Sequence, residues 1–140
     1  MIYIDTNVFI YAIENHPKYG KACKKVLLDI ESGKIKSSAS VLVLIEVINV
    51  LTKINRLLIK QKKIPLDIKE NIDAILSLPI TWFDLDFHTI KKASEYSYNV
   101  TGVDYIHIAT MEINSIEEVI SADGELDKVK FIKRIDPREY

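Results

Sequence analysis

The stretch Ile2-Tyr3-Ile4-Asp5-Thr6-Asn7-Val8, running on through Phe9-Ile10-Tyr11-Ala12-Ile13, decides how this chain is read. A short β-favouring run stops at a carboxylate, and an apolar helix begins at once. Asp5 is either the cap of that helix or a functional carboxylate, and because Thr6 and Asn7 also offer a cap the functional reading is favoured. A carboxylate placed directly after a buried first strand is held by rigid backbone and projects into the cleft at the sheet edge.

The same alternation continues outward. A helix is expected over Tyr19–Glu31, with Ala22, Cys23, Val26, Leu27 and Ile30 on one side and Gly33 ending it. Ile35–Ala39 reads as a weak strand, after which Ser40 caps a long helix from Val41 to about Leu58. Pro65 opens a helix over Leu66–Leu78 that Pro79 stops, and Ile80–Phe83 reads as a strand. Asp86 caps a helix reaching Tyr98, Asn99–Gly102 turns the chain, and Val103–Ile113 is helical. Glu118–Ser121 and Phe131–Arg134 complete the strands. Strands that alternate with helices predict an α/β fold, a central parallel β-sheet flanked by helices as an α/β/α sandwich. The length of 140 residues suits one domain spanning 1–140 with one core. In open sheets of this class ligands gather beyond the carboxyl ends of the strands, where the strand order reverses.

Four carboxylates fall at that edge or in the apolar stretch after it: Asp5, Glu46, Asp104 and Asp123. Glu46 interrupts the apolar run Val41–Ile45 and is followed by Val47-Ile48, so burying it unpaired would cost several kcal/mol. It escapes by heading a polar stripe of Glu46, Asn49, Lys53, Arg56 and Lys60 at helical spacing. Asp104 lies in the first turn of its helix, where the macrodipole favours it and Thr101 offers a capping box. Asp123 follows a strand in Ser121-Ala122-Asp123-Gly124, a spacing that also suits a turn, and Asp127 lies one turn later. His107, three residues after Asp104 on an otherwise apolar face, reads as a core or supporting histidine. Two carboxylates about 4 Å apart repel by roughly 4 kcal/mol at an effective dielectric near 20, so acids that converge call for a cation. All-carboxylate donors with no soft ligand favour Mg2+ or Mn2+.

Composition narrows the classes further. The hydrophobic content of 48% fits a globular chain, and the net charge of −1 gives no global pull toward nucleic acid. Charge can still be segregated: Lys53, Arg56, Lys60, Lys62 and Lys63 occur with no acid between them, and Lys128, Lys130, Lys133 and Arg134 form a second basic group. No apolar run is long enough to span a bilayer and no signal peptide is apparent, so no membrane partner and a cytoplasmic location are expected. The single Cys23 cannot form an internal disulfide. Glycine occurs only at 20, 33, 102 and 124, which leaves neither a phosphate-binding loop nor a dinucleotide fingerprint. A phosphotransfer aspartate would have a second acid two residues on, where this chain has Asn7.

Read together, Ile2-Tyr3-Ile4-Asp5-Thr6-Asn7-Val8, Ser40 with Leu42 and Glu46, Asp104-Tyr105-Ile106-His107-Ile108-Ala109-Thr110, and Ser121-Ala122-Asp123-Gly124-Glu125-Leu126-Asp127 resemble the PIN-domain family, and within it the small stand-alone toxins of the VapC type. The match covers nearly the whole chain. The resemblance implies a divalent-metal-dependent endoribonuclease, the toxin of a type II toxin–antitoxin pair. It carries the family's invariant acids onto Asp5, Glu46 and Asp104 and the fourth onto Asp123, with Thr6 and Asn7 in support. Ser121 is a further supporting candidate, and Asp127, by its spacing, either assists Asp123 or is simply exposed. Leu126 departs from the aromatic common at its position, with no catalytic atom affected. The resemblance also implies an RNA substrate, guided here by Lys53, Arg56 and Lys60, a cognate antitoxin laid over the acidic cleft, and a homodimer formed through apolar helices such as Val41–Ile59. Two rival readings are an inactive PIN-like scaffold that only binds RNA or protein, and a PIN nuclease of RNA maturation.

Overall fold

Five short strands and six helices make up the computed structural model, which describes all residues from Met1 to Tyr140. The strands are β1 (Ile2–Ile4), β2 (Ser37–Ser40), β3 (Ile80–Phe83), β4 (Glu118–Ile120) and β5 (Lys133–Ile135). They form one sheet in the order β3-β2-β1-β4-β5, with every pairing parallel. The chain builds outward from β1 through β2 to β3, then returns to the other side of β1 for β4 and β5. The order therefore reverses between β1 and β4, whose register pairs Ile4 with Ile120. The carboxyl ends of those two strands flank the switch-point crevice, the natural ligand position in such a sheet.

Helices cover both faces: α1 (Thr6–Ile13), α2 (Gly20–Glu31), α3 (Leu42–Lys60), α4 (Ile68–Leu76), α5 (Phe87–Ala93) and α6 (Gly102–Ile113). Side chains alternate across each strand, so neighbours enter opposite cores. Ile4 and Ile120 pack with Val8, Phe9, Val26, Val43 and Leu51 on one side. Tyr3 and Val119 pack with Ile108, Met111, Leu126 and Val129 on the other. This two-sided burial is why the strands read as apolar runs and not as a strict alternation. The exceptions are β2, Ser37-Ser38-Ala39-Ser40, which is small and wholly buried, and the edge strand β5, Lys133-Arg134-Ile135, which is polar and partly exposed.

Several local expectations shift. The cap of α1 is neither Thr6 nor Asn7 but Asp5 itself, whose side chain accepts the Thr6 N–H from extended backbone. The helix after Pro65 starts later, at Ile68, because Asp67 accepts the Glu70 N–H and so sets the first turn. The α5 helix ends at Ala93 and not near Tyr98. Its last turn tightens with the Ser94 N–H bonded to Lys91 O and Ser94 Oγ donating to the same carbonyl. The following Tyr96 and Tyr98 rings then pack together, with centroids 5.4 Å apart, instead of continuing the helix. The last strand begins at Lys133, since Phe131-Ile132 turn inward and Ile132 joins the second core. Gly33 ends α2 as expected, with φ +75, a conformation that favours glycine. No helix is long and apolar enough to cross a membrane.

Candidate functional site

Asp5 leaves the end of β1 and is buried at the foot of the switch-point crevice. Both carboxylate oxygens are tied. Oδ1 accepts the Thr6 N–H at 2.8 Å, and Oδ2 accepts Ser121 Oγ at 2.6 Å and Asn7 Nδ2 at 3.2 Å. Ser121, just past β4, also accepts from Asn7 Nδ2 at 3.1 Å and from the Asp123 N–H at 3.0 Å. Asn7 Oδ1 accepts the Ala122 N–H at 3.1 Å. Thr6, Asn7 and Ser121 thus stitch the ends of β1 and β4 together around one carboxylate.

The other three acids arrive from three directions. Glu46 projects from the second turn of α3, and its Oε1 accepts Thr6 Oγ1 at 2.8 Å and meets His107 Nε2 at 2.5 Å. Asp104 stands in the first turn of α6, where its Oδ2 accepts Thr101 Oγ1 at 2.9 Å. This side-chain bond replaces the expected capping box, because Thr101 makes no side-chain bond to the helix backbone. Asp123 Oδ1 accepts the Glu125 N–H at 3.0 Å and caps the short 3₁₀ turn Gly124–Lys128. One oxygen of each remains without a protein hydrogen bond: Glu46 Oε2, Asp104 Oδ1 and Asp123 Oδ2.

All four acids line one cleft of about 390 Å³. Its other wall and floor come from α1 and α3, through Ile10, Tyr11, Glu14, Val50 and Ile54. A second groove of about 390 Å³ opens between α1, α2 and α4, but it is mainly apolar, with Phe9, Leu27 and Ile75 among its walls, and gathers no convergent acids.

The sequence from residue 2 to 132 matches the family model of the PIN domain. The chain belongs to the PIN-domain family. No curated protein matches the sequence. Among solved structures, a toxin–antitoxin complex from Klebsiella pneumoniae contains a chain similar to this one, at TM-score 0.63 and 13% identity, with 100% of both chains covered. VapBC2 from Rickettsia felis, bound to a DNA fragment from their promoter, contains another at TM-score 0.64 and 16% identity, covering 96% of this chain and 98% of that one. At these identities the likeness is one of fold.

Electrostatics in this PIN domain agree with the geometry. Burial, and the charges of Asp5 and Asp123 after it, push the Asp104 carboxyl up to about 6, although the Thr101 bond and His107 pull the other way. Burial alone would lower the pKa of His107. Its bond to Glu46 and the charges of Asp5, Glu46 and Asp104 outweigh that and hold it above its ordinary value. Even so, no three of the His, Cys, Asp or Glu side chains stand close enough together to hold a metal ion as they are oriented. The donor chemistry nevertheless fits a hard divalent cation. The donors are all carboxylates, three carry an unbonded oxygen, and Asp104 already feels the repulsion a cation would relieve.

Of the residues expected to support the acids, Thr6, Asn7 and Ser121 contact them directly, and Asp127 does not. The Asp127 carboxylate is gripped by Arg134, with Nε at 2.9 Å and Nη2 at 3.1 Å, outside the cleft. Lys53, Arg56 and Lys60 are exposed on α3, beyond the cleft lining. His107, expected as a core or supporting histidine, is buried and bonds Glu46 Oε1 through Nε2. No role was expected of Tyr3, whose hydroxyl reaches His107; the signal was a polar-tipped aromatic inside an otherwise aliphatic strand.

Proposed function

We propose that this PIN domain is a divalent-metal-dependent endoribonuclease and the toxin of a type II toxin–antitoxin pair. The observation that carries the reading is the convergence of Asp5, Glu46, Asp104 and Asp123 on one cleft at the switch point. These four would hold Mg2+ or Mn2+, which supplies Lewis acidity toward phosphate and water. Asp5 is the fixed member, with both oxygens bonded; Glu46, Asp104 and Asp123 each keep an oxygen to offer. The acids hold the ion and do not themselves attack. Lys53, Arg56 and Lys60 would carry the RNA backbone toward the cleft, which makes binding salt-sensitive.

The partner reading draws on the two structural neighbours, which are described as toxin–antitoxin and VapBC complexes. An antitoxin segment over the acidic cleft would block access to Asp5 and Glu46. A homodimer through α3 is supported by Ile45, Ile48 and Ile59, which are exposed along one side of that helix. A cytoplasmic location accompanies this function.

Calorimetric titration of Mn2+ into wild type and an Asp5→Asn/Asp104→Asn double variant tests the site, with circular dichroism to show both folded. Binding by wild type and its loss in the variant, together with loss of RNA cleavage, is the expected result. The scaffold reading draws on the lack of three acids within coordinating range. Failure of folded wild type to bind Mn2+ with RNA present would favour it.

A further inference from the structure

His107 is 3% exposed, yet both of its ring nitrogens are engaged by residues far away in sequence. Tyr3 Oη, from β1, meets Nδ1 at 2.5 Å, and Glu46 Oε1, from α3, meets Nε2 at 2.5 Å. The Tyr3 hydroxyl in turn accepts the Ser40 N–H from β2 at 3.3 Å. The Tyr3 and His107 rings sit edge to face, with centroids 5.7 Å apart and planes at 70°, so packing as well as hydrogen bonding fixes the imidazole. A chain of bonds therefore runs from the middle of the sheet to one carboxylate of the cleft.

The direction of these bonds follows from the donors. Nε2 must carry a hydrogen to bond a carboxylate, whether the ring is neutral or charged. With the ring neutral, Nδ1 accepts the Tyr3 proton while Tyr3 Oη accepts from Ser40, so both nitrogens of His107 and the Tyr3 hydroxyl have partners. At the far end, Glu46 Oε1 receives both His107 Nε2 and Thr6 Oγ1, while Oε2 receives neither.

We propose that Tyr3 and His107 are positioning residues that lock the rotamer of Glu46, dedicating Oε1 to the protein and presenting Oε2 to a divalent cation. The inference rests on the metal site proposed above. A buried imidazole and phenol are a poor way to stabilise a core, since apolar side chains of similar volume would pack there without desolvating polar groups. Their placement is explained by what they do to Glu46: a glutamate with three rotatable bonds otherwise loses side-chain freedom each time it takes up an ion.

The test is Mn2+ calorimetry on wild type, His107→Leu, His107→Gln and Tyr3→Phe, each with a thermal melt in chelator. His107→Leu should weaken Mn2+ binding by about 10–100-fold, the range expected when a residue orienting a ligand is lost. Its chelated melting temperature should fall, because the buried Tyr3 hydroxyl loses its acceptor, so affinities are compared below the melting temperature of every variant. His107→Gln, whose amide N–H lies near the position of Nε2, should restore most of the affinity. Tyr3→Phe, which frees the ring but leaves Nε2 in place, should fall between Leu and wild type. If His107→Leu does not fold, Tyr3→Phe decides alone. Wild-type affinity in the folded variants would overturn this inference and leave the metal site standing. An Mn2+ affinity lowered as far by Gln as by Leu would reduce the role of His107 to packing and overturn it as well. No Mn2+ binding by wild type would overturn the metal site and this inference together.

Discussion

Asp104→Asn should make the metal-free protein more stable while weakening its hold on a divalent ion. The carboxyl is held near 6 where 3.8 is ordinary, chiefly by burial and then by its acidic neighbours, against the pull of Thr101. A raised carboxyl binds its proton more tightly in the folded state. As pH rises from about 4, the unfolded chain releases that proton first, and stability falls until the folded group has also ionised, just above pH 6. At 1.36 kcal/mol per pH unit, the full cost of ionising Asp104 at neutral pH is about 3 kcal/mol before screening. The carboxyl is only half-buried, so solvent screens a good part of this and about 1–2 kcal/mol remains. Asparagine carries no charge and keeps an oxygen to accept from Thr101 Oγ1. The variant should therefore melt about 3–8 °C higher in chelator at neutral pH. The advantage should shrink to roughly a fifth at pH 4, where the wild-type carboxyl is already protonated. In saturating Mn2+ the order should reverse, because the ion stabilises the state that binds it. Differential scanning calorimetry of both proteins at the two pH values, with chelator and with Mn2+, measures all of this. An equal or lower melting temperature for the chelated variant at neutral pH would refute the claim that the clustered acids are paid for in stability.

Three further outcomes follow from the same geometry. The apparent Mn2+ affinity should climb as pH passes upward through about 6, since a ligand must shed its proton to coordinate, and a flat profile between pH 5 and pH 7.5 would exclude Asp104 as a ligand. Ser38→Ala should stabilise the protein by about 1 kcal/mol, because the Ser38 hydroxyl is buried with no hydrogen-bond partner; urea denaturation checks the sign. Ser121→Ala removes the 2.6 Å bond to Asp5 and the shared partner of Asn7 and the Asp123 N–H, so it should cost about 1–3 kcal/mol and lower RNA cleavage, with an unaltered denaturation midpoint counting against the role given to Ser121.

The strands and helices were largely legible in the sequence because each is set by neighbouring residues: a β-favouring run, an apolar period, a cap. Where the reading slipped, a competing contact was responsible. Tyr96 and Tyr98 looked like the end of a helix, but their rings pack on each other and against the second core beyond the end of α5. Asp5 looked less like a cap because Thr6 and Asn7 could serve, yet the carboxylate accepts the Thr6 N–H while its other oxygen faces Ser121 and Asn7. Asp127 looked like a helper of Asp123 by spacing alone; Arg134, brought alongside on β5, takes it instead.

By itself the sequence determined the α/β alternation and the set of acids placed at strand ends and helix starts, since both are written over a few consecutive residues. Only the tertiary structure decided that β1 lies between β2 and β4, which puts the reversal of strand order beside Asp5 and Asp123. It also decided that Tyr3 reaches His107 across 104 positions and that His107 reaches Glu46 across 61. Those contacts depend on the order in which strands pair and on which face of the sheet each helix covers, and a hydrophobic period records the buried face of an element but not its neighbour.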